Sequence, residues 1–114
     1  MTQIVLPHPL PPEYARSVAD RFRLLGDPTR LRLIDLLRDG ERTVGSLANE
    51  LGCTQANTAK QLALLADAGL LFRRREGLRC YYAIADAAVF EICDTVCASV
   101  LQHLDPSAFA RRAI

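Results

Sequence analysis

Two groups of side chains in this 114-residue chain have types and spacings that could do chemistry. The first is polar and basic: Thr54, Gln55, Asn57, Thr58, Lys60 and Gln61 fall within eight residues, and Arg73, Arg74, Arg75 and Arg79 within seven. Gln and Asn amides donate and accept at once, which suits the major-groove edge of adenine. A lysine suits guanine or phosphate, and a threonine hydroxyl suits phosphate. Clustered arginines are costly without an anionic partner, and a phosphate backbone supplies one. The second group is sulfur. Cys93 and Cys97 stand at i and i+4, which on a helix puts both thiols on one face about 5 to 6 Å apart at Cβ. Two thiolates there could clamp a soft, thiophilic metal or metalloid ion. Trivalent arsenic prefers three, so a third would come from Cys80, Cys53 or a second subunit, with Cys80 the first candidate.

Each group has a plainer reading. Any surface helix is polar on its solvated face, and Val89, Cys93, Val96 and Val100 form one apolar stripe in which cysteine serves as a small hydrophobe. Cys53 suits a small buried spacer. A Cys93–Cys97 disulfide inside one helical turn would be strained, so an oxidative switch would have to bend the helix or recruit another cysteine. His8 and His103 read as solvated, with no spacing that points to zinc or nickel.

The elements that must position these residues are legible from periodicity. Proline-rich Leu6 to Pro12 excludes helix and sheet, so residues 1–12 are expected to form a flexible arm and 13–114 a single domain. From Glu13, Tyr14, Val18, Phe22 and Leu25 recur on one helical face, and Gly26 ends the run. Asp27-Pro28 opens a second helix with Leu31, Ile34 and Leu36 or Leu37 inward, up to Gly40. Thr43 caps a third through Leu51 with Val44, Leu47, Ala48 and Leu51 inward, and Gly52 closes it. Thr54 starts a fourth almost at once, Gln55 to Ala68, which keeps Leu62 and Leu65, with Thr58 and Ala59 between turns, on its buried side. Leu71 to Arg75 and Arg79 to Ile84 alternate around Glu76-Gly77 as a two-stranded hairpin. A last helix runs from about Asp86 to Leu104, ended by Asp105-Pro106, which also suit the start of a final short turn.

The expected fold is thus mostly α with a small β-hairpin, a winged helix-turn-helix. A short helix crossing a longer one holds the longer one in a major groove, while the basic hairpin lies against the backbone. Net charge is only +1, so the argument rests on where the charges sit and not on their sum. Half the residues are hydrophobic and 24% charged, the balance of a folded globular chain. No stretch is apolar enough for a membrane span and no secretory signal opens the chain, so a cytoplasmic protein with reduced thiols is expected.

Three segments, "LGDPTRLRLIDLL", "VGSLANELGCTQANTAKQLALLADAGLL" and "RRREGLRCYYAIAD", resemble the ArsR/SmtB family of winged-helix repressors, over about Leu24 to Asp86. The resemblance implies a homodimer, paired through the first and last helices across a two-fold axis and reading an inverted repeat in double-stranded DNA. It also implies release of DNA by a metal, metalloid or oxidant. Thr58, Ala59 and Gln61 depart from the family's more usual Val, Ser and His, so operator sequence does not transfer. The paired cysteines some members carry before the recognition helix are missing from Thr43 to Leu47. The zinc pattern of the last helix also departs, with Ala87-Ala88 after Asp86 and Ser99 and Gln102 further on.

No Gly-rich phosphate loop, nucleophile elbow or histidine beside a nucleophile is present, so an enzyme is not expected. The remaining alternatives are a ligand-independent winged helix that binds DNA or docks protein, and a nickel- or zinc-responsive regulator using other ligands.

Overall fold

The computed structural model describes residues 5–104 and 107. The expected stop at Asp105-Pro106, and any turn it starts, lie outside them. Five helices and three strands run in the order α1 (Pro12–Leu25), α2 (Pro28–Leu36), β1 (Arg42–Thr43), α3 (Val44–Leu51), α4 (Gln55–Asp67), β2 (Leu71–Glu76), β3 (Arg79–Ile84) and α5 (Ala88–Leu104), with a 3-10 turn at Leu37–Asp39 after α2.

Helix starts follow the cap chemistry in the sequence. Asp27 accepts the Arg30 N–H, Thr43 that of Ser46 and Thr54 that of Asn57, each satisfying a donor that has no partner in the first helical turn. Proline opens α1 and α2, where its missing N–H is not needed. Between α3 and α4 only residues 52–54 intervene. Gly52 turns the chain with φ 67°, and the Cys53 N–H donates to the Ala48 carbonyl.

The core gathers Leu25, Leu33, Ile34, Leu37, Leu47, Leu62, Leu65, Leu70, Leu71, Tyr82 and Val89. In α2 the inward positions are Leu33 and Ile34, not Leu31. Leu31 sits at the flank of that buried face and instead lines an apolar groove with Phe22 and Val96.

The hairpin is part of a three-stranded antiparallel sheet in the order β1-β3-β2. The two-residue β1 lies too short for any periodicity to reveal, yet it pairs Arg42 with Tyr82 and Thr43 with Tyr81, joining the start of α3 to the wing. Glu76 pairs with Arg79 inside the ladder, so the turn is Gly77-Leu78, one residue later than the alternation suggests. Gly77 takes φ 62° at its first position, as a type II′ turn requires. No helix among the described residues is long and apolar enough to cross a membrane.

Candidate nucleic-acid interface

The capped start of α4 presents Gln55 and Asn57 outward, with Lys60 exposed one turn later. Thr54 is exposed too, but its Oγ1 accepts the Asn57 N–H at 3.1 Å, leaving its hydroxyl proton free for an outside acceptor. Leu62 and Leu65 fix the rotation of the helix from the core side, at the i+4 and i+7 positions counted from Thr58. Thr58 itself is fully buried, and its Oγ1 donates to the Thr54 carbonyl at 2.9 Å. It is therefore corrected from a candidate DNA contact to a core residue that braces the helix start.

Gln61 is half-buried where α4 crosses α2. Its Oε1 accepts from Arg30 Nη1 at 2.8 Å, and its Nε2 faces Asn57 Oδ1 at 3.4 Å. Arg30 is also tied by Nε to the Leu24 carbonyl at 2.6 Å. Farther along, Arg21 reaches the Ala68 carbonyl at the far end of α4, at 3.3 Å. Neither arginine stood out in the sequence, because single arginines in amphipathic helices carry no pattern.

The wing stands beside this helix. Gln55, the α3 start at Thr43 to Gly45, and Leu78, Arg79 and Cys80 line one cleft. Gly45 allows the approach, since a Cβ there would lie 3.4 Å from Gln55 Nε2. Helix α3 is anchored to β1 by Arg42, which donates to Ser46 Oγ and pairs with Glu50 at 2.8 Å.

The arginine triplet divides by the two-residue period of a strand: Arg73 and Arg75 share one face and Arg74 takes the other. Arg74 donates to Glu41 (2.7 and 3.0 Å) and to Glu76 (2.6 Å), and lies 4.4 Å over the Tyr81 ring. Its pKa is raised above the ordinary guanidinium value by hydrogen bonds to Glu41 first and Glu76 second, and in return the Arg74 hydrogen bond lowers that of Glu41. Arg74 thus already has the anionic partners that the sequence expectation gave to DNA. Among the described residues, Arg73, Arg75 and Arg79 make no ion pair and are exposed.

A core family model described as a helix-turn-helix domain matches residues 25–72. The solved structure of a homodimeric winged helix-turn-helix DNA-binding domain from Mycobacterium bovis, titled a possible ArsR-family transcriptional regulator, superimposes with a TM-score of 0.72 at 30% identity. It covers 92% of this chain and 94% of that one. This chain belongs to the ArsR family. It is also 32% identical over 83 residues to a probable mercury resistance operon repressor of Streptomyces lividans, spanning 73% of this chain and 66% of that protein. To the regulator CmtR of Mycobacterium tuberculosis it is 42% identical over 71 residues, spanning 62% of this chain and 60% of that one. The chain thus matches just under two thirds of these relatives' length.

The cysteines of this ArsR-family chain fall in separate places. Cys80 lies at the cleft beside Gln55, whereas Cys93 and Cys97 line an apolar groove with Phe22, Leu31, Ile92 and Val100. Cys93 packs against the core, and burial pushes its thiol pKa up, while Cys97 is exposed. Cys53 is half-buried, its thiol pointing to the Leu51 carbonyl at 3.7 Å. His8 and His103 are both exposed, with His103 Nδ1 bonded to the Ser99 carbonyl. Among the described residues no three His, Cys, Asp or Glu side chains converge on a point that could hold a metal ion. One chain therefore brings two thiols together, not three.

Proposed function

We propose that this protein is a cytoplasmic, homodimeric transcriptional regulator, acting as a repressor, that reads an inverted repeat in double-stranded DNA. One observation carries the reading: the Thr54-capped start of α4 exposes Gln55 and Asn57 beside a wing with three exposed arginines, Arg73, Arg75 and Arg79. In this reading α4 enters the major groove, Gln55, Asn57, Lys60 and Gln61 face base edges, Thr54 meets a phosphate, and Arg73, Arg75 and Arg79 neutralise the flanking backbone. The dimer forms through the exposed stripe of α1 (Tyr14, Val18, Phe22) and that of α5 (Ile92, Val96, Val100), apolar side chains that the described residues leave exposed, with Phe22 and the α5 residues lining one groove.

The thiols of Cys93 and Cys97 suit a soft ion, and the name of the mercury repressor relative points the same way. They line the groove assigned to the dimer, so a complete thiolate set would draw its further donors from the partner subunit. A bound soft ion would supply the free energy that shifts the dimer away from its DNA-binding form.

The test is fluorescence anisotropy of the reduced protein on a duplex from upstream of its own gene, at several salt concentrations and with or without arsenite. Tight binding that falls steeply with salt supports the DNA reading, and salt-insensitive or absent binding sinks it. Release by arsenite in wild type but not in Cys93→Ser supports the thiol sensor; no effect of arsenite or of Cd2+ returns both cysteines to packing.

A further inference from the structure

Arg30 joins the end of α1 to the exposed face of α4 through a short chain of hydrogen bonds. Its backbone N–H is spent on the Asp27 cap, its Nε on the Leu24 carbonyl and its Nη1 on Gln61. A guanidinium has donors and no acceptor, so the Gln61 atom that meets it must be the carbonyl oxygen, and the Gln61 NH2 must point the other way. That NH2 faces Asn57 Oδ1. The same logic then runs one residue further: Asn57 has its oxygen engaged and its NH2 turned outward.

We infer that Arg30 is a positioning residue for base readout, which fixes the two amides of α4 so that they show donors and few acceptors to the groove. This rests on α4 being the reading helix, and it makes that reading sharper. An unconstrained Gln or Asn matches adenine, accepting from N6 and donating to N7. With Gln61 Oε1 held by Arg30 and Asn57 Oδ1 by Gln61, the edge with two acceptors, guanine O6 and N7, is favoured instead. Arg30 is half-buried between helices, away from the exposed arginines of the wing, so its role differs from phosphate neutralisation.

The experiment selects a binding site for the wild-type dimer from random duplexes, then measures competition by duplexes that carry each base at every position of one half-site. Arg30→Met is expected to shift the guanine-over-adenine ratio about tenfold toward adenine at the base pair that Asn57→Ala also affects. In a Gln61→Met background the same change is expected to shift nothing further. The slope of log affinity against log salt is expected to stay at the wild-type value. An unchanged base preference overturns the inference, as does a uniform loss of affinity with a shallower salt slope, which would make Arg30 a phosphate contact. Should Arg30→Met fail to fold, as read by thermal melting, Gln61→Glu keeps a partner for Arg30 and removes the donor facing Asn57. It is expected to lose the guanine preference about tenfold, and retention of that preference overturns the inference. Failure of wild type to select any site would instead remove the reading of α4 on which the inference stands.

Discussion

Arg74 and its neighbours have the same side chain and different work. The fork of Arg74 is saturated by Glu41 and Glu76, and its plane is stacked on Tyr81, so binding a phosphate would first require breaking those bonds. Arg73→Ala, Arg75→Ala or Arg79→Ala is therefore expected to weaken binding to specific and random DNA alike, and to reduce the salt slope by about 1 each. Arg74→Ala is expected to leave that slope nearly unchanged. Anisotropy titrations over a range of salt read both, and equal slopes lost for all four would return Arg74 to the DNA. The sequence shows four arginines close together, but the partner of Arg74 lies 33 residues back at Glu41 and depends on the register of β1. At Cys93 the sign of the pH effect follows from burial, which disfavours the thiolate and raises its pKa. A divalent soft ion must displace that proton, so Cd2+ affinity, followed by thiolate-to-metal absorbance, is expected to climb with pH through and above the ordinary thiol range. A pH-independent affinity, or one that falls as pH rises, counts against Cys93 as a ligand.

Helix α4 shows what element-level reasoning gets from a sequence and what it leaves out. The Thr54 cap, the inward Leu62 and Leu65 and the preceding Gly52 turn are all legible, because caps and 3.6-residue periodicity act locally. Thr58 is legible only in part: spacing puts it on the buried side while its polar type suits a DNA contact, and only the packed fold decides, showing it wholly buried with its hydroxyl returned to the Thr54 carbonyl. The two roles separate by substitution. Thr58→Val, nearly isosteric, is expected to lower stability by about 1 kcal/mol while leaving base discrimination intact. Gln55→Ala and Asn57→Ala, exposed and outside the core, are expected to do the reverse: melting unchanged within about 0.5 kcal/mol and discrimination between operator and random DNA reduced. Thermal melts and paired titrations on the same preparations decide it, and a loss of discrimination in Thr58→Val would reverse the correction made at that residue. Strand β1 escaped the sequence for a different reason. Two residues have no period, and their pairing with Tyr81 and Tyr82 is purely tertiary.

At the scale of the molecule, the apolar stripes of α1 and α5 are readable as helix faces but not as surfaces. Periodicity says only that Tyr14, Val18 and Phe22 face one way, and the fold adds that this way is not the core. The single chain leaves Phe22 58% and Val96 52% exposed along a groove floored by Leu25 and Cys93. A second copy covering that groove would place two α4 helices at a fixed separation. Arg21 of α1 bonds to the C-terminal end of α4, and Arg30 of α2 ties the Leu24 carbonyl of α1 to Gln61 in the middle of α4, so in such a dimer a shift at the shared face would reach α4 through both. Val96→Glu is a selective probe of this arrangement. The side chain is half-exposed within one chain, so the folded protomer tolerates the charge, whereas at a closed interface an unpaired carboxylate costs on the order of several kcal/mol. Sedimentation equilibrium is expected to show dimer for wild type and monomer for Val96→Glu, each with the same helical content by circular dichroism. Binding to the full inverted repeat is expected to fall toward that for an isolated half-site, because two linked contacts no longer share one encounter. A variant that stays dimeric and keeps its operator affinity would move the interface off α5, and with it the site at which Cys93 and Cys97 could couple a soft ion to DNA release.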